Sequence, residues 1–345
     1  MKRRFFLPAM LALCLLTSCT VPSAKPEPEP VTAELFAMDT YMSLVAYGDE
    51  AQDALTEASQ VINDLDRTLS RTREGSDVWN LNHAGSVVPS ADTAVLLNAA
   101  LRYTADTEGC FDITIAPLVE AWGITTDSPR VPSQEEIDAL LKKVGPQHLL
   151  LTADMARLDK GCAVDLGAIA KGYAGDAVAD VFSRYGVESG AVSLGGNVYV
   201  CGTRPDGNPW QVAIQDPQGE GYACTLLLSD AFAVTSGGYQ RYFTGPDGTV
   251  YQHILDPAPG RPAQSDLLSV TVVCPNGTRA DAYSTALYVM GEQRAWQFWE
   301  ARDGGDRAFD MVLVTADGRL VVTPGLADRF QEEESAPYEV HFITR

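Results

Sequence analysis

The chain has 345 residues, 46% of them hydrophobic, and its 46 Asp and Glu against 25 Lys and Arg give a formal net charge of −21. That length and apolar content support one large core or two intimate lobes, while the charge argues against nucleic acid as a partner, because a phosphate backbone is bound by a positive patch. Beyond residue 19 the cysteines are Cys110, Cys162, Cys201, Cys224 and Cys274, without CxxC spacing, and the histidines are His83, His148, His253 and His341. Neither a disulfide framework, a zinc site nor a histidine-rich metal centre is indicated.

The N-terminus opens with Lys2, Arg3 and Arg4, an apolar run from Phe5 to Leu16, and small residues ending at Cys19. This is a secretory signal, too short to cross the ~30 Å of a bilayer core. Leu16-Thr17-Ser18-Cys19 resembles the lipobox of bacterial lipoproteins, in which the cysteine is lipidated and becomes the first mature residue; an ordinary cleaved signal with an incidental cysteine is the alternative. The expected organisation is a signal at 1–18, a lipidated proline-rich linker at 19–31 through "VPSAKPEPEPV", and a domain at 32–345. Cys19 would hold that domain at the cell membrane, on its extracytoplasmic side.

"LFAMDTYMSLVAYG" alternates and reads as a strand, and "AQDALTEASQVINDLDRTLS" as an amphipathic helix. A second helix covers "SADTAVLLNAALRYTADTEG", stopped by Gly109. "CFDITIAPLVEAWG" switches to β-branched residues, and "SQEEIDALLKKVG" is a short helix with an acidic first turn. In "AVDLGAIAKGYAGDAVADVFSRYG" a strand end feeds a helix, with Asp165 at the cap position and Ile169, Tyr173, Ala177 and Val181 as the apolar stripe. The remainder is mostly strands and turns, closing on a hairpin near "MVLVTADGRLVV". Helices and strands mix without strict βαβ alternation, so the class is α+β.

Two stretches carry chemistry. Lys171 projects near a helix start, where free N–H groups attract an anion and a lysine adds charge; a surface lysine beside a structural glycine turn is the plainer reading. In "RADAYSTALYVMG", Asp281 and Thr285 stand at i and i+4 and can offer two hard oxygens to a cation such as magnesium. Alternatively, Asp281, Ser284 and Thr285 cap or back-bond the first turn of a helix. "YQHILDPAPGRPA" places His253 and Asp256 on a strand running into a Pro-Gly turn. No G-x-S-x-G elbow and no GxxxxGK[ST] loop is present.

In order, "AMDT", "GCFDITIAPLVEAWG", "DLGAIAKGYAGDAV", "SLGGNVYVCG", "AVTSGGYQRYF", "HILDPAPGRP" and "ADAYSTAL" resemble the FAD:protein FMN transferases, the ApbE lipoproteins. The resemblance runs from about Phe36 to Met290. It implies a single ApbE-like domain of two intimate lobes with the flavin site between them. It also implies FAD as substrate, Mg2+ as cofactor, FMN transfer to a Thr or Ser hydroxyl of an acceptor protein, and release of AMP. The implied metal ligands are the carbonyl of Ala168 and the side chains of Asp281 and Thr285. The implied flavin contacts are Met38, Cys110, Phe111, Asp112, Asp165, Lys171 and Leu255, and His253 matches a histidine needed for transfer. "AMDT" replaces the family's Met-Gly-Thr, "DLGA" replaces Asp-Leu-Gly-Gly, and Thr72 stands where relatives often carry an aromatic residue. Magnesium together with Lys171 would neutralise the diphosphate, and His253 or a nearby carboxylate such as Asp256 would serve as base. An FAD pyrophosphatase and a flavin-binding lipoprotein without turnover are the rival readings.

Overall fold

The computed structural model describes residues 29–343 apart from positions 247 and 307, so the expected signal, Cys19 and most of the linker lie outside the described residues. Nine strands form one sheet in chain order: β1 Val31–Ala37, β2 Thr40–Tyr47, β3 Ser189–Leu194, β4 Asn197–Gly202, β5 Ala231–Gly237, β6 Leu267–Cys274, β7 Asp310–Thr315, β8 Arg319–Val322 and β9 Glu339–Phe342. Each neighbouring pair is antiparallel except β8 and β9, which run parallel. The helices are α1 Ala51–Leu69, α2 Asp77–Ala84, α3 Ala91–Asp106, α4 Ala116–Trp122, α5 Gln134–Leu141, α6 Ala170–Arg184 and α7 Gly277–Glu300.

The central strands read as continuous apolar runs because both faces of the sheet are covered. Phe232, Val234, Val270, Val272, Met311 and Leu313 face a core shared with α1, α6 and α7. Their neighbours Ala231, Ala233, Val273, Val312 and Val314 face the other way, onto a three-stranded sheet of Trp210–Gln215, Tyr222–Leu228 and Phe330–Glu332. The alternation of side chains along each strand thus divides one chain segment between two cores. The helix-side core draws on residues from Ala37 to Ile343, so the helix-rich first half and the strand-rich second half are one α+β unit.

Several local expectations need correction. "LFAMDTYMSLVAYG" is a hairpin, β1–β2, and not one strand: Ala37 pairs with Thr40 across Met38 and Asp39, whose φ values of 50° and 57° are those of a tight two-residue turn. The β-branched segment after Cys110 forms a 3-10 turn, Ile113–Ile115, and then α4. Helix α2 was not anticipated; Ser76 caps it by accepting from the Trp79 amide. The buried stripe of α6 is Ala170, Ala174, Val178, Val181 and Phe182, with Tyr173 and Ala177 on its flank. Tyr173 lies to the side because its hydroxyl reaches Asp92 of α3 at 2.8 Å.

Candidate active site

Helices α6 and α7 cross at two glycines. A Cβ on Gly172 would sit 2.2 Å from the Gly277 carbonyl oxygen, and one on Gly277 would sit 2.5 Å from that of Gly172, so only glycine admits this backbone approach. Asp176 of α6 fastens the start of α7, accepting from the Gly277 and Thr278 amides at 2.6 and 2.8 Å and from the Thr278 hydroxyl and the Asn276 amide group. Helix α7 therefore begins at Gly277, with Asn276 as its cap. Asp281 and Thr285 stand in its second and third turns, and neither caps it.

The crossing brings Asp281 to the start of α6. Its Oδ2 accepts from the Gly172 amide at 2.8 Å. In a regular first turn that amide would point to the carbonyl of Ala168; here it is given to the carboxylate. Asp281 is 4% exposed, and burial pushes its pKa up against the opposing influence of Lys171 and of the Gly172 hydrogen bond. Beside it, Ser236 of β5 bridges the hydroxyls of Ser284 at 2.8 Å and Thr285 at 3.3 Å, which orients Thr285.

These groups open onto a cleft of about 850 Å³ that takes its walls from both halves of the chain. Met38, Cys110, Phe111, Asp112, Asp165, Ala168, Lys171, His253, Leu255, Asp281 and Thr285 all line it. Apart from Asp256, every described residue singled out as a candidate for catalysis, flavin contact or metal ligation is thus brought to one place. Asp256, the alternative base, is not in the lining; its carboxylate holds the following turn by accepting from the Ala258 amide at 2.9 Å.

The remaining walls explain how these residues are held. The Met38 amide donates to Asp66 at 2.8 Å, which fixes the β1–β2 turn to the end of α1. Asp165 is not the cap of α6, whose first residue is Ala170. Its Oδ1 accepts from the Gly167 amide at 2.8 Å and its Oδ2 pairs with Arg71 at 2.8 Å, fixing the turn that carries Ala168. Asp112 accepts from the amide and hydroxyl of Thr114, both at 2.7 Å, and burial raises its pKa. The Cys110 thiol is also pushed up by burial and receives Arg294 at 3.2 Å, from the part of α7 beyond its break at Gly291. Arg71, Arg73 and Arg241, which sequence inspection missed, join Lys171 in the lining, beside Asp39, Asp66, Asp112, Asp165 and Asp281.

His253 lies between two short strands, Val250–Gln252 and Leu255–Asp256. Its Nδ1 stands 3.2 Å from the Arg241 carbonyl oxygen, which can only accept, so Nδ1 carries the proton and Nε2 keeps its lone pair. Burial, aided by the charges of Lys171 and Arg241, pushes its pKa down to about 4. The imidazole is therefore neutral at pH 7.

The sequence profile described as the ApbE family matches residues 38–309. The chain belongs to that family. It is 32% identical over 306 residues to the FAD:protein FMN transferase of Vibrio cholerae, covering 86% of this chain and 91% of the relative. Against the enzyme of the same name from Escherichia coli K12 it is 36% identical over 242 residues, or 67% and 69% of the two chains. The crystal structure of the ApbE protein from Thermotoga maritima superposes with a TM-score of 0.78 at 29% identity, over 90% of this chain and all of the other.

Proposed function

We infer that this protein transfers FMN from FAD to a Thr or Ser hydroxyl of an acceptor protein, with magnesium, and releases AMP. The observation that supports it best is the meeting, in one cleft, of a buried carboxylate with two neutral oxygens, a lysine and a neutral histidine.

The residues present suit magnesium. Among the described residues no group of three or more His, Cys, Asp or Glu could hold a metal ion. One buried carboxylate with a hydroxyl and a carbonyl is the sparse hard-oxygen set that magnesium uses when substrate phosphates complete its shell. Asp281, Thr285 and the Ala168 carbonyl would hold it, and Asp281 is a buried charge for which a cation is the natural counterpart. When bound, the ion supplies charge neutralisation at the diphosphate.

The protein's own groups supply the rest. Lys171 positions and neutralises the diphosphate. The Nε2 of His253 accepts the proton of the acceptor hydroxyl as its oxygen bonds to the FMN phosphorus, the bond from that phosphorus to the AMP oxygen breaks, and AMP departs. His253 is the base in preference to Asp256, because it lines the cleft and Asp256 is committed to a turn. The cleft walls at Met38, Phe111 and Leu255 take the flavin. The linker and Cys19 place this chemistry on the outer face of the membrane; Cys19→Ser should leave a folded domain released from membranes, or carrying an uncleaved signal.

Mass spectrometry after incubating the purified domain with FAD, magnesium and a candidate acceptor tests the reading. A covalent FMN adduct with AMP is expected. Free FMN and AMP alone would make the protein a pyrophosphatase, and unaltered FAD would make it a binding protein.

A further inference from the structure

The β1–β2 hairpin carries two exposed aromatic rings beside the cleft. Val31, Ala33, Leu35 and Ala37 turn one face of β1 to the helix-side core, as Met42, Leu44 and Ala46 do for β2, so the alternation sends Phe36 and Tyr41 to the opposite face. The two stand directly across from each other in the register, edge to face, with ring centroids 5.1 Å apart. Yet Phe36 is 60% and Tyr41 83% exposed. The second sheet, which covers this face of the central strands, meets the hairpin at its far end, where the Trp210 and Tyr47 ring centroids are 6.4 Å apart. A single exposed apolar side chain needs no explanation. A matched pair on a fixed support at the rim of an active site does.

The support is rigid. Asp66 accepts from the Met38 amide at 2.8 Å, and the Arg241 guanidinium donates to the Asp39 carbonyl oxygen at 3.0 Å. Thr40 lies so close to Gly195 that a Cβ on that glycine would stand 2.2 Å from its hydroxyl oxygen. Met38, Asp39 and Thr40, the residues between the two rings and the turn, line the cleft, while Phe36 and Tyr41 stand outside the lining. Arg241 also joins this turn to the base: its carbonyl oxygen receives the His253 amide at 3.0 Å and faces Nδ1 at 3.2 Å. The aromatic pair is thus built on the same frame as His253, beyond the reach of a small molecule held in the cleft.

A flavin that fills the cleft has no use for such a rim, whereas a protein whose hydroxyl must reach His253 rests on it. We infer that the Phe36 and Tyr41 face of the hairpin is the docking surface for the acceptor protein, which lays the segment carrying its Thr or Ser against the two rings. Exposed aromatics that are already ordered are the side chains that carry binding energy at protein interfaces. Glu34, next along the same row of β1, and the net charge of −21 select a segment that is apolar and free of acidic side chains. This rests on FMN transfer to a protein, and the test separates the two ideas.

The probe is the protein that gives the strongest covalent flavin band in cells with this gene, purified without its flavin from cells in which the gene is deleted. FMN transfer to that protein and calorimetric titration with FAD, both in magnesium buffer, are measured for wild type, Tyr41→Ala, the double variant Phe36→Ala with Tyr41→Ala, and Phe342→Ala. Phe342 is a 42% exposed aromatic on β9, at the opposite edge of the sheet. In the double variant kcat/KM for the acceptor should fall about tenfold or more, through KM, and less steeply in Tyr41→Ala. FAD affinity should stay at the wild-type value, and Phe342→Ala should match wild type in both measurements. Tyr41→Ala trims a side chain that is 83% exposed and carries the test if the double variant is poorly folded. Unchanged kcat/KM for the acceptor overturns the docking surface while leaving the transfer reading intact; if self-association is lost at the same time, the face belongs to a second copy of this chain. A parallel loss of FAD binding also overturns it, because the pair is then a prop of the cleft. Wild-type enzyme that leaves the apo protein unlabelled overturns both ideas.

Discussion

The Gly172 amide donates to the Asp281 carboxylate at 2.8 Å, and this one hydrogen bond ties the start of α6 to the second turn of α7. It orients the carboxylate and, by leaving the ladder of its own helix, frees the Ala168 carbonyl from its usual partner. Two of the three proposed cation ligands thus depend on a single amide. That amide can reach Asp281 only because the helices touch at Gly172 and Gly277.

Gly172→Ala should therefore harm stability and activity together. Its Cβ would meet the Gly277 oxygen at 2.2 Å and the Asp281 Cβ at 2.7 Å, backbone and near-backbone atoms that cannot move alone. A loss of about 1–3 kcal/mol is expected from such overpacking. Thermal unfolding with magnesium-dependent FAD cleavage checks it; a variant with wild-type melting temperature and activity would show that the crossing tolerates a methyl group.

Lys171→Ala should weaken FAD binding by about 1.5–3 kcal/mol, the range for hydrogen bonds to charged groups, with little change in melting temperature. Calorimetry decides it. Unchanged affinity would return Lys171 to the role of a surface lysine beside a glycine turn.

The candidate ligands and flavin contacts of the cleft were legible in the sequence; the arginines beside Lys171, and what holds the site together, were not. Local signals such as caps, periodicity and glycine stops located α1, α3, α5 and most strands. Asp281 and Thr285 were readable because i and i+4 spacing is a property of one helix. Asp165 was misread as a cap because a cap is recognised by its place before an apolar stripe, and its true partner, Arg71, is far off in the chain. The same reason hid Asp66 beneath Met38, Asp176 at the start of α7, and Ser236 against Thr285. Each is a contact between distant segments, set by packing and invisible to spacing. Met38 and Asp39 were missed as a turn because the usual glycine signal is absent and Asp39 takes φ 57° itself.

The histidine should give the enzyme an unusually low acid limit. A free histidine titrates near 6.5, whereas burial holds His253 at about 4, so its Nε2 lone pair remains available well below pH 6. The acidic limb of kcat/KM assigned to the free enzyme's base should fall towards that lower value. Stability follows the same sign. Between about pH 6.5 and 4 the unfolded chain binds the proton and the folded protein does not, so the folded state loses stability as pH falls through that window. His253→Gln should abolish transfer, keep FAD binding, and blunt this part of the acid loss. Rate profiles and unfolding curves on both proteins read it; a rate limb at 6.5 that persists in the variant would remove His253 from the base role.

Asp281 separates a metal ligand from a structural carboxylate most directly. Burial raises its pKa, so folded stability from this group diminishes as pH rises above the ordinary carboxylate range. Asp281→Asn removes the carboxylate charge while its Oδ1 can still accept from the Gly172 amide. Its melting temperature at pH 7 without magnesium should therefore equal or exceed that of wild type. Asp281→Ala leaves the Gly172 amide without this acceptor and should melt lower. Magnesium should raise the melting temperature of the wild type by mass action and fail to do so for either variant. FAD cleavage should collapse in both, with partial recovery for Asp281→Asn at high magnesium because an amide oxygen is a weak ligand. A purely structural Asp281 predicts the reverse pattern. An Asn variant with full activity and an unaltered magnesium-dependent shift would remove Asp281 from the cation site, and with it the reason for the helix crossing at Gly172.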